Sequence, residues 1–321
     1  MITSAKIYRT DCVNPHQNLA MEEAMLRNLP EGQAILFLWQ NRHTVVIGSG
    51  QNAWRECDTE RLSREGGRLA RRSSGGGAVY HDLGNLNFSF IVPRADYDVD
   101  RHLSVVMRAV AAFGLRAEKS GRNDLLIDGR KFSGNAFRLL THSALHHGTL
   151  LIDSDMEKVA RYLTPDKDKL KAKGVKSVAS RVANLRALNE EITVDGLASA
   201  MMEAFRAEYG PAEVSAPAEA DFPEFAQLLP KYESWAWNFG ASPEGMISVE
   251  KRFSWGGVQL AVKVVGGQAQ EVHAYTDSMD ETLSERLTAA LTGCPWCGEE
   301  LALCARRAGE EEIAGWLRET V

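Results

Sequence analysis

Apolar positions along the chain alternate between helical and strand spacing, and the changes mark out its elements. After Asn14 and Pro15, which suit a helix start, Met21, Met25 and Leu29 recur every four residues and predict a helix over 19–29. AILFLW (34–39) and HTVVIG (43–48) are short β-rich runs parted by the turn-prone Gln40-Asn41-Arg42, which predicts adjacent strands. The stretch AVYHDLGNLNFSFIV begins as a strand, turns over Asp82 to Asn85, and resumes as an alternating strand from Leu86 to Val92. Over 101–113 the residues Leu103, Val106, Met107, Val110 and Phe113 share one helical face, with Gly114 as the expected cap.

DLLIDGRKFSGNAF then predicts a hairpin turned at Asp128-Gly129, and HHGTLLID a further strand. Leu197, Met201, Ala204 and Phe205 mark a helix closed by Gly210-Pro211. The Ala/Pro-rich GPAEVSAPAEADFP reads as a surface excursion. Past SWAWNFGASPEG a fresh pattern starts, with two strands around Gly266-Gly267 and a helix carrying Leu283, Leu287 and Leu291 in register. A boundary near 241–248 follows, giving a large mixed α/β domain over 1–243 and a small α/β domain over 244–321.

Composition narrows the function classes. The 37 basic and 43 acidic residues leave a net charge of −6, which argues against general nucleic-acid binding. Any anion site must then be a local concentration of positive charge. The N-terminal MITSAKIYRTDCVNP lacks a signal-type apolar core, and no run approaches the ~18 apolar residues of a membrane span. Five scattered cysteines do not make a disulfide framework, so a reduced, cytoplasmic protein is expected.

Chemistry concentrates in ARRSSGGGAVYHD (70–82). No Gly-Lys-Ser/Thr follows the glycines, so this is not a P-loop, and they lead into a strand, so it is not a dinucleotide fingerprint. A lone glycine triplet is compatible with an exposed turn. Arg71, Arg72, Ser73 and Ser74 beside bare backbone amides instead favour a concavity for an anion. GRKFSGNAF adds Lys131. KDKLKAKGVKSVASRVANL (167–185) adds a basic run and then a loop with Gly174, Ser177, Ser180 and Arg181. GRNDLLI adds Asn123 and Asp124, the latter able to hold Mg²⁺ or simply to cap a strand. Together these pieces predict a nucleotide site without a Walker motif, centred on Lys131. CPWC (294–297) followed by Cys304 has redox-like or metal-like spacing but no supporting His, and incidental thiols are expected.

The blocks RLARRSSGGGAVYHDLGN, GRNDLLI, GRKFSGNAF, HHGTLLID and KLKAKGVKSVASRVANL resemble the signature segments of lipoate–protein ligases of the bacterial type with an appended C-terminal domain. NLAMEEAMLRNL, LFLWQNRHTVVIGSGQNAWREC and SWAWNFG resemble the same family, and the likeness spans most of 14–265. It implies an α/β (α+β) biotin/lipoate-ligase-like large domain with mixed sheets, related to class II aminoacyl-tRNA synthetase folds. It implies that lipoate and Mg·ATP give lipoyl-AMP and pyrophosphate. The lipoyl group would then pass to a lysine of a lipoyl domain, in the acyltransferase subunits of 2-oxoacid dehydrogenases or the glycine-cleavage carrier protein. Small-molecule partners would be ATP and lipoate, with neither nucleic acid nor membrane, and a monomer is expected.

The same resemblance assigns residues. Gly77, Ala78, Val79 and Tyr80 would line the adenylate, and Arg72 would supply charge to the phosphates. Lys131 would contact both the lipoate carboxylate and the α-phosphate, with Ser74 near the lipoate. Gly174, Val175, Ser177 and Arg181 would belong to a loop covering the adenylate. For the acyl slot, Trp39, Val46 and the glycine segment are the candidates, and His81 and His147 are expected to be hydrogen-bonded structural histidines. Three rivals remain. A lipoyl or octanoyl transferase of the same fold would need an activated thiol, with Cys12 and Cys57 the cysteines before 294. A degenerate lipoate-binding protein would bind without catalysis. A biotin ligase is disfavoured because its Arg-rich Gly-x-Gly loop is missing.

Overall fold

The computed structural model describes residues 1–121, 124–163, 182–239, 246–265 and 267–321, apart from the side chains of 54 and 55. Its centre is an eight-stranded mixed sheet. The strands are β1 (Ser4–Arg9), β2 (Gln33–Trp39), β6 (Asn85–Pro93), β7 (Glu118–Ser120), β8 (Asp124–Ile127), β9 (Arg130–Leu139), β10 (Ser143–Leu151) and β11 (Ala212–Ser215), in the order β11-β1-β2-β6-β10-β9-β8-β7. A three-stranded sheet of β3 (Thr44–Ile47), β4 (Arg68–Arg71) and β5 (Val79–His81) forms separately, in the order β4-β3-β5. A third sheet holds β12 (Ile247–Phe253), β13 (Gly256–Val265) and β14 (Gln268–Thr276).

The central sheet is buried on both faces, which is why AILFLW reads as an unbroken apolar run. On β2, Leu36 and Leu38 join a core under the helices Val99–Ala111 and Val194–Tyr209. Their neighbours Ile35, Phe37 and Trp39 face the helix Pro15–Arg27 and the helix Phe225–Glu233. At the predicted hairpin, Asp128 and Gly129 both have positive φ, +50° and +71°, as a tight type I′ turn requires. Gly210 at φ +93° ends the helix Val194–Tyr209 as expected.

Two expectations are corrected. β2 and β3 are not neighbours: the chain leaves the central sheet between them, through His43 at φ +45°, and β3 founds the second sheet. The Ala/Pro-rich excursion carries β11, an exposed edge strand parallel to β1. β1 itself went unpredicted, since it is a half-exposed strand with a weak apolar pattern.

At the C-terminus, β12–β14 and the helices Leu283–Leu291, Gly298–Arg307 and Glu311–Thr320 share their own core around Leu260, Leu287, Leu301 and Trp316. This part touches the glycine segment: Gly76 N–H donates to Ser278 O at 3.0 Å, and Thr276 N–H to Gly50 O at 2.5 Å. No described helix is long and apolar enough to cross a membrane.

Candidate functional site

A cavity of about 130 Å³ lies between the central sheet and the second sheet. Register sets the order of its floor. Trp39 on β2 pairs with Asn87 on β6, and Asn87 pairs with Thr149 on β10. Thr149 Oγ1 accepts from the Gly134 amide on β9 at 3.3 Å. Neighbouring strands lie about 4.8 Å apart, so the floor from Trp39 to Gly134 spans about 14 Å. Val46 and Leu19 line it too, as do Gly76, Gly77, Ala78, Val79 and His81.

Lys131 closes one end. Its side chain is about one-third exposed, and Nζ meets Asp124 Oδ1 at 2.7 Å. It folds over Gly134, where an added Cβ would come within 2.8 Å of Nζ, so the glycine makes room for the ammonium. The described chain resumes at Val182 beside Lys131, and Ala183 N–H donates to Lys131 O at 2.8 Å.

The opposite wall is wired by buried side chains. Trp39 Nε1 donates to Ser89 Oγ at 3.0 Å, and Ser89 donates to Glu22 Oε1 at 2.5 Å. His147 Nδ1 lies 2.8 Å from the same oxygen, and its Nε2 lies 2.7 Å from Ser74 Oγ. Ser74 Oγ accepts from Arg72 Nε at 3.1 Å. Every step is satisfied if His147 carries its proton on Nδ1, so donation converges from both sides on Glu22. Burial, with Arg72 and His147 nearby, pushes His81 down to about 3, so its ring is neutral.

The two adjacent arginines do different work. Arg71 is buried and holds the main chain together, donating to the carbonyls of Gly48, Ser49, Gln51, Trp237 and Asn238. Arg72 lines the cavity and grips the glycine segment, donating from Nη2 to Gly75 O at 2.7 Å and Gly77 O at 2.9 Å. Burial lowers the Arg72 guanidinium to about 10, which leaves it charged at neutral pH. The three glycines also separate. Gly76 has φ +90°, and a Cβ on Gly75 would meet Ser278 O at 2.6 Å. At Gly77 no atom of the described residues lies within 4 Å of an added Cβ, and φ imposes nothing.

The profile of the lipoyl protein ligase A/B catalytic domain matches residues 14–206, and that of the bacterial lipoate protein ligase C-terminus matches 242–315. The chain belongs to this ligase family. LipL1 of P. falciparum, solved in complex with lipoate, is 27% identical, with a TM-score of 0.84 over 98% of this chain and 99% of that one. A lipoate–protein ligase A solved with ATP is 27% identical over 75% of this chain and 99% of its own, with a TM-score of 0.65. A bipartite archaeal ligase from Thermoplasma acidophilum, described with its E2 lipoyl domain, is 28% identical, with a TM-score of 0.67 over 76% of this chain and 100% of that one.

For this member of the ligase family, the cavity gathers Trp39, Val46, Arg72, Gly77, Ala78, Val79 and Lys131 from the candidates. Tyr80 turns its ring away, because side chains alternate along β5, and packs with Val45, Ile47 and Tyr162. Ser74 stands one hydrogen bond behind the wall, through His147. Asp124 pairs with Lys131, and among the described residues no three His, Cys, Asp or Glu side chains gather as metal ligands. Gly174, Val175, Ser177 and Arg181 lie outside the described residues, as does Asn123. Cys294 and Cys304 are disulfide-bonded, leaving Cys297 free, which departs from the expectation of incidental thiols.

Glu22 and Ser89 escaped the sequence reading. Their signal was the acid pair Glu22-Glu23 inside the otherwise apolar NLAMEEAML, where both carboxylates are buried. Glu23 meets Arg27, Tyr232 and Lys231. Burial works against its ionisation, yet these partners and Arg138 hold it down at about 2.

Proposed function

We propose that the protein is an ATP-dependent lipoate–protein ligase that activates free lipoate as lipoyl-AMP and passes the lipoyl group to a lysine of an apo lipoyl domain. The observation that carries this reading is the slot itself: a floor about 14 Å long, with Trp39, Val46 and Leu19 among its lining, that ends at a partly exposed ammonium. An eight-carbon acid fits with its chain toward Trp39 and its carboxylate at Lys131. ATP would enter along Gly77 to Val79, where the missing side chain at Gly77 leaves the backbone open.

In the first half-reaction a carboxylate oxygen attacks the α-phosphorus, the bond between the α-phosphorus and its bridging oxygen breaks, and pyrophosphate leaves. The two reactants are both anionic, so they approach only across a cation. Lys131 exchanges Asp124 for these anions, and a preorganised donor is worth most where charge develops. Holding both reactants in line supplies much of the remaining acceleration. In the second half-reaction the carrier lysine's neutral amine attacks the acyl carbon, AMP departs, and the amine proton is released. The partner brings that nucleophile, so this chain needs none.

Magnesium fits as an ion carried by the triphosphate. A single carboxylate, Asp124, beside the phosphate path suits a cation that keeps most of its ligands as water and substrate oxygens. Its chemistry would be neutralisation of phosphate charge. The C-terminal region engages Gly76 through Ser278, so movement of that region between the half-reactions would free a loop amide for the nucleotide. Unchanged small-angle scattering on adding lipoate and ATP would count against such movement.

A thioester-forming transferase is disfavoured by the cysteines. Neither Cys12 nor Cys57 lines the cavity, and burial pushes the Cys57 thiol up to about 12. The test is mass spectrometry of an apo lipoyl domain incubated with the protein, ATP and lipoate. The proposed activity adds one lipoyl group to one lysine from free lipoate only when ATP is present; no modification under those conditions contradicts it, and a second incubation with a lipoyl thioester donor in place of ATP and lipoate then separates a transferase, which modifies the domain, from a binder, which does not.

A further inference from the structure

Adenylation uses one oxygen of the acid, which attacks phosphorus beside Lys131. The other oxygen becomes the carbonyl oxygen of the acyl adenylate. That second atom gathers negative charge when an amine adds to the acyl carbon, so the transfer step calls for a donor of its own close to Lys131.

The sheet places one there. Asp124 on β8 pairs with Gly134 on β9, and Thr149 on β10 pairs with Asn87 on β6. The row that holds the lysine's ion-pair partner therefore continues through Gly134 to Thr149. An added Cβ at Gly134 would lie 2.8 Å from Lys131 Nζ and 3.9 Å from Thr149 Oγ1, so the ammonium and the hydroxyl overlook one gap, less than about 7 Å apart. One carboxylate, accepting at about 2.8 Å on each oxygen, bridges such a gap. Thr149 lines the cavity and is partly exposed. Its Oγ1 accepts from the Gly134 amide at 3.3 Å, and among the described residues nothing accepts its own proton. A hydroxyl hydrogen rotates to meet its acceptor, so this one can turn into the gap.

We infer that Thr149 is the oxyanion donor of the transfer step, its hydroxyl holding the acyl oxygen while the carrier amine attacks. The inference rests on the ligase reading above and adds a residue to its second half-reaction. In that step the C–N bond forms, and the C–O bond to AMP breaks with its electron pair going to AMP. The amine proton passes to water, and Thr149 keeps its own proton throughout. Such a donor adds little to binding of the acid and most where the oxyanion forms. The ammonium thus serves chiefly adenylation and the hydroxyl chiefly transfer.

The test compares Thr149→Val, which removes the hydroxyl, with Thr149→Ser, which keeps it, on the full chain, with circular dichroism to establish folding. Two rates are read: lipoate-dependent ATP–pyrophosphate exchange, and single-turnover lipoylation of an apo lipoyl domain from saturating, ready-made lipoyl-AMP. The valine variant should lose roughly 10²-fold in transfer but less than about tenfold in exchange, and the serine variant should keep both within about threefold of wild type. Undiminished transfer in folded Thr149→Val overturns the inference. An equal loss of both rates overturns it too, being the mark of a hydroxyl that only supports Gly134 and, through it, Lys131. A serine variant as slow in transfer as the valine one does the same. Thr149→Ala carries the same prediction if the valine variant does not fold. Because the transfer arm starts from lipoyl-AMP, the two claims separate. A wild type that transfers without any exchange sinks the adenylation reading alone, whereas wild-type exchange with undiminished transfer by the variant sinks the Thr149 assignment alone.

Discussion

The two ends of the cavity are built on opposite principles. At one end, Lys131 is partly exposed, stands over a glycine and is ion-paired with Asp124. At the other, Trp39, Ser89, Glu22, His147, Ser74 and Arg72 form a buried chain in which each step meets hydrogen-bond geometry. A group that must change partners during a reaction is held loosely and near water. A surface that must keep its shape is locked from behind, since a buried polar network specifies one arrangement only when its members are satisfied. Under the proposed function, the side chain that changes partners and the side chains that fix the slot's shape are therefore different ones.

The largest expected effect falls on the loose end. Lys131→Ala should lower lipoate-dependent ATP–pyrophosphate exchange by roughly 10²–10³-fold with the fold intact, by analogy with loss of a preorganised donor. Lys131→Arg should also fail, because a planar fork does not replace a compact ammonium over Gly134. Wild-type exchange in either variant would erase the distinction between the two ends.

Glu22→Gln strikes the locked end. The carboxylate takes donation from Ser89 and His147, and an amide at this place loses charge and offers N–H groups where acceptors are wanted. Urea denaturation should report a loss of about 1–3 kcal/mol, with a weaker effect on the chemical step than Lys131→Ala. A variant as stable as wild type would mean that the chain is ornamental.

Gly77→Ala separates glycines that serve the protein from those that serve a ligand. Among the described residues no atom lies within 4 Å of its absent Cβ, so stability should stay within about 0.5 kcal/mol, while ATP affinity drops by roughly tenfold. Equal ATP binding would remove Gly77 from the nucleotide path.

The smallest effect comes from acid. Burial lowers His81 from 6.5 to about 3 and His102 to about 4, so both bind protons more readily when unfolded. Their contribution is whole above pH 6.5 and is lost as pH falls through the folded values. From pH 7.5 to 6.0 only the top of this window is reached, costing about 1 kcal/mol from His81 alone. Unfolding curves that coincide at the two pH values would contradict the neutral, buried His81.

What was legible in the sequence was local. The helix near Met21, the turn at Asp128-Gly129 and the cap at Gly210 are dictated by residues close together in the chain, and the structure has them. The glycine segment and Lys131 stood out because their residue types are uncommon in combination, and the structure sets Gly76, Gly77 and Lys131 around one cavity. Contacts made at long range were not. Asp124 looked equally suited to a metal or a cap until pairing of β8 with β9 set it against Lys131. Ser89 reaches Glu22 across 67 residues, and no short window contains both. β3 parted from β2 because His43 turns the chain, a local event whose consequence is a separate sheet. Val79 and Tyr80 differ by one position yet face opposite sides, which only the strand's orientation could decide.

The most direct measurement is ATP–pyrophosphate exchange by the wild-type protein with and without lipoate. The account predicts label exchange only when lipoate is present, and its loss in Lys131→Ala. Exchange independent of lipoate, or none with both substrates supplied, would contradict an ammonium that bridges the acid and the α-phosphate.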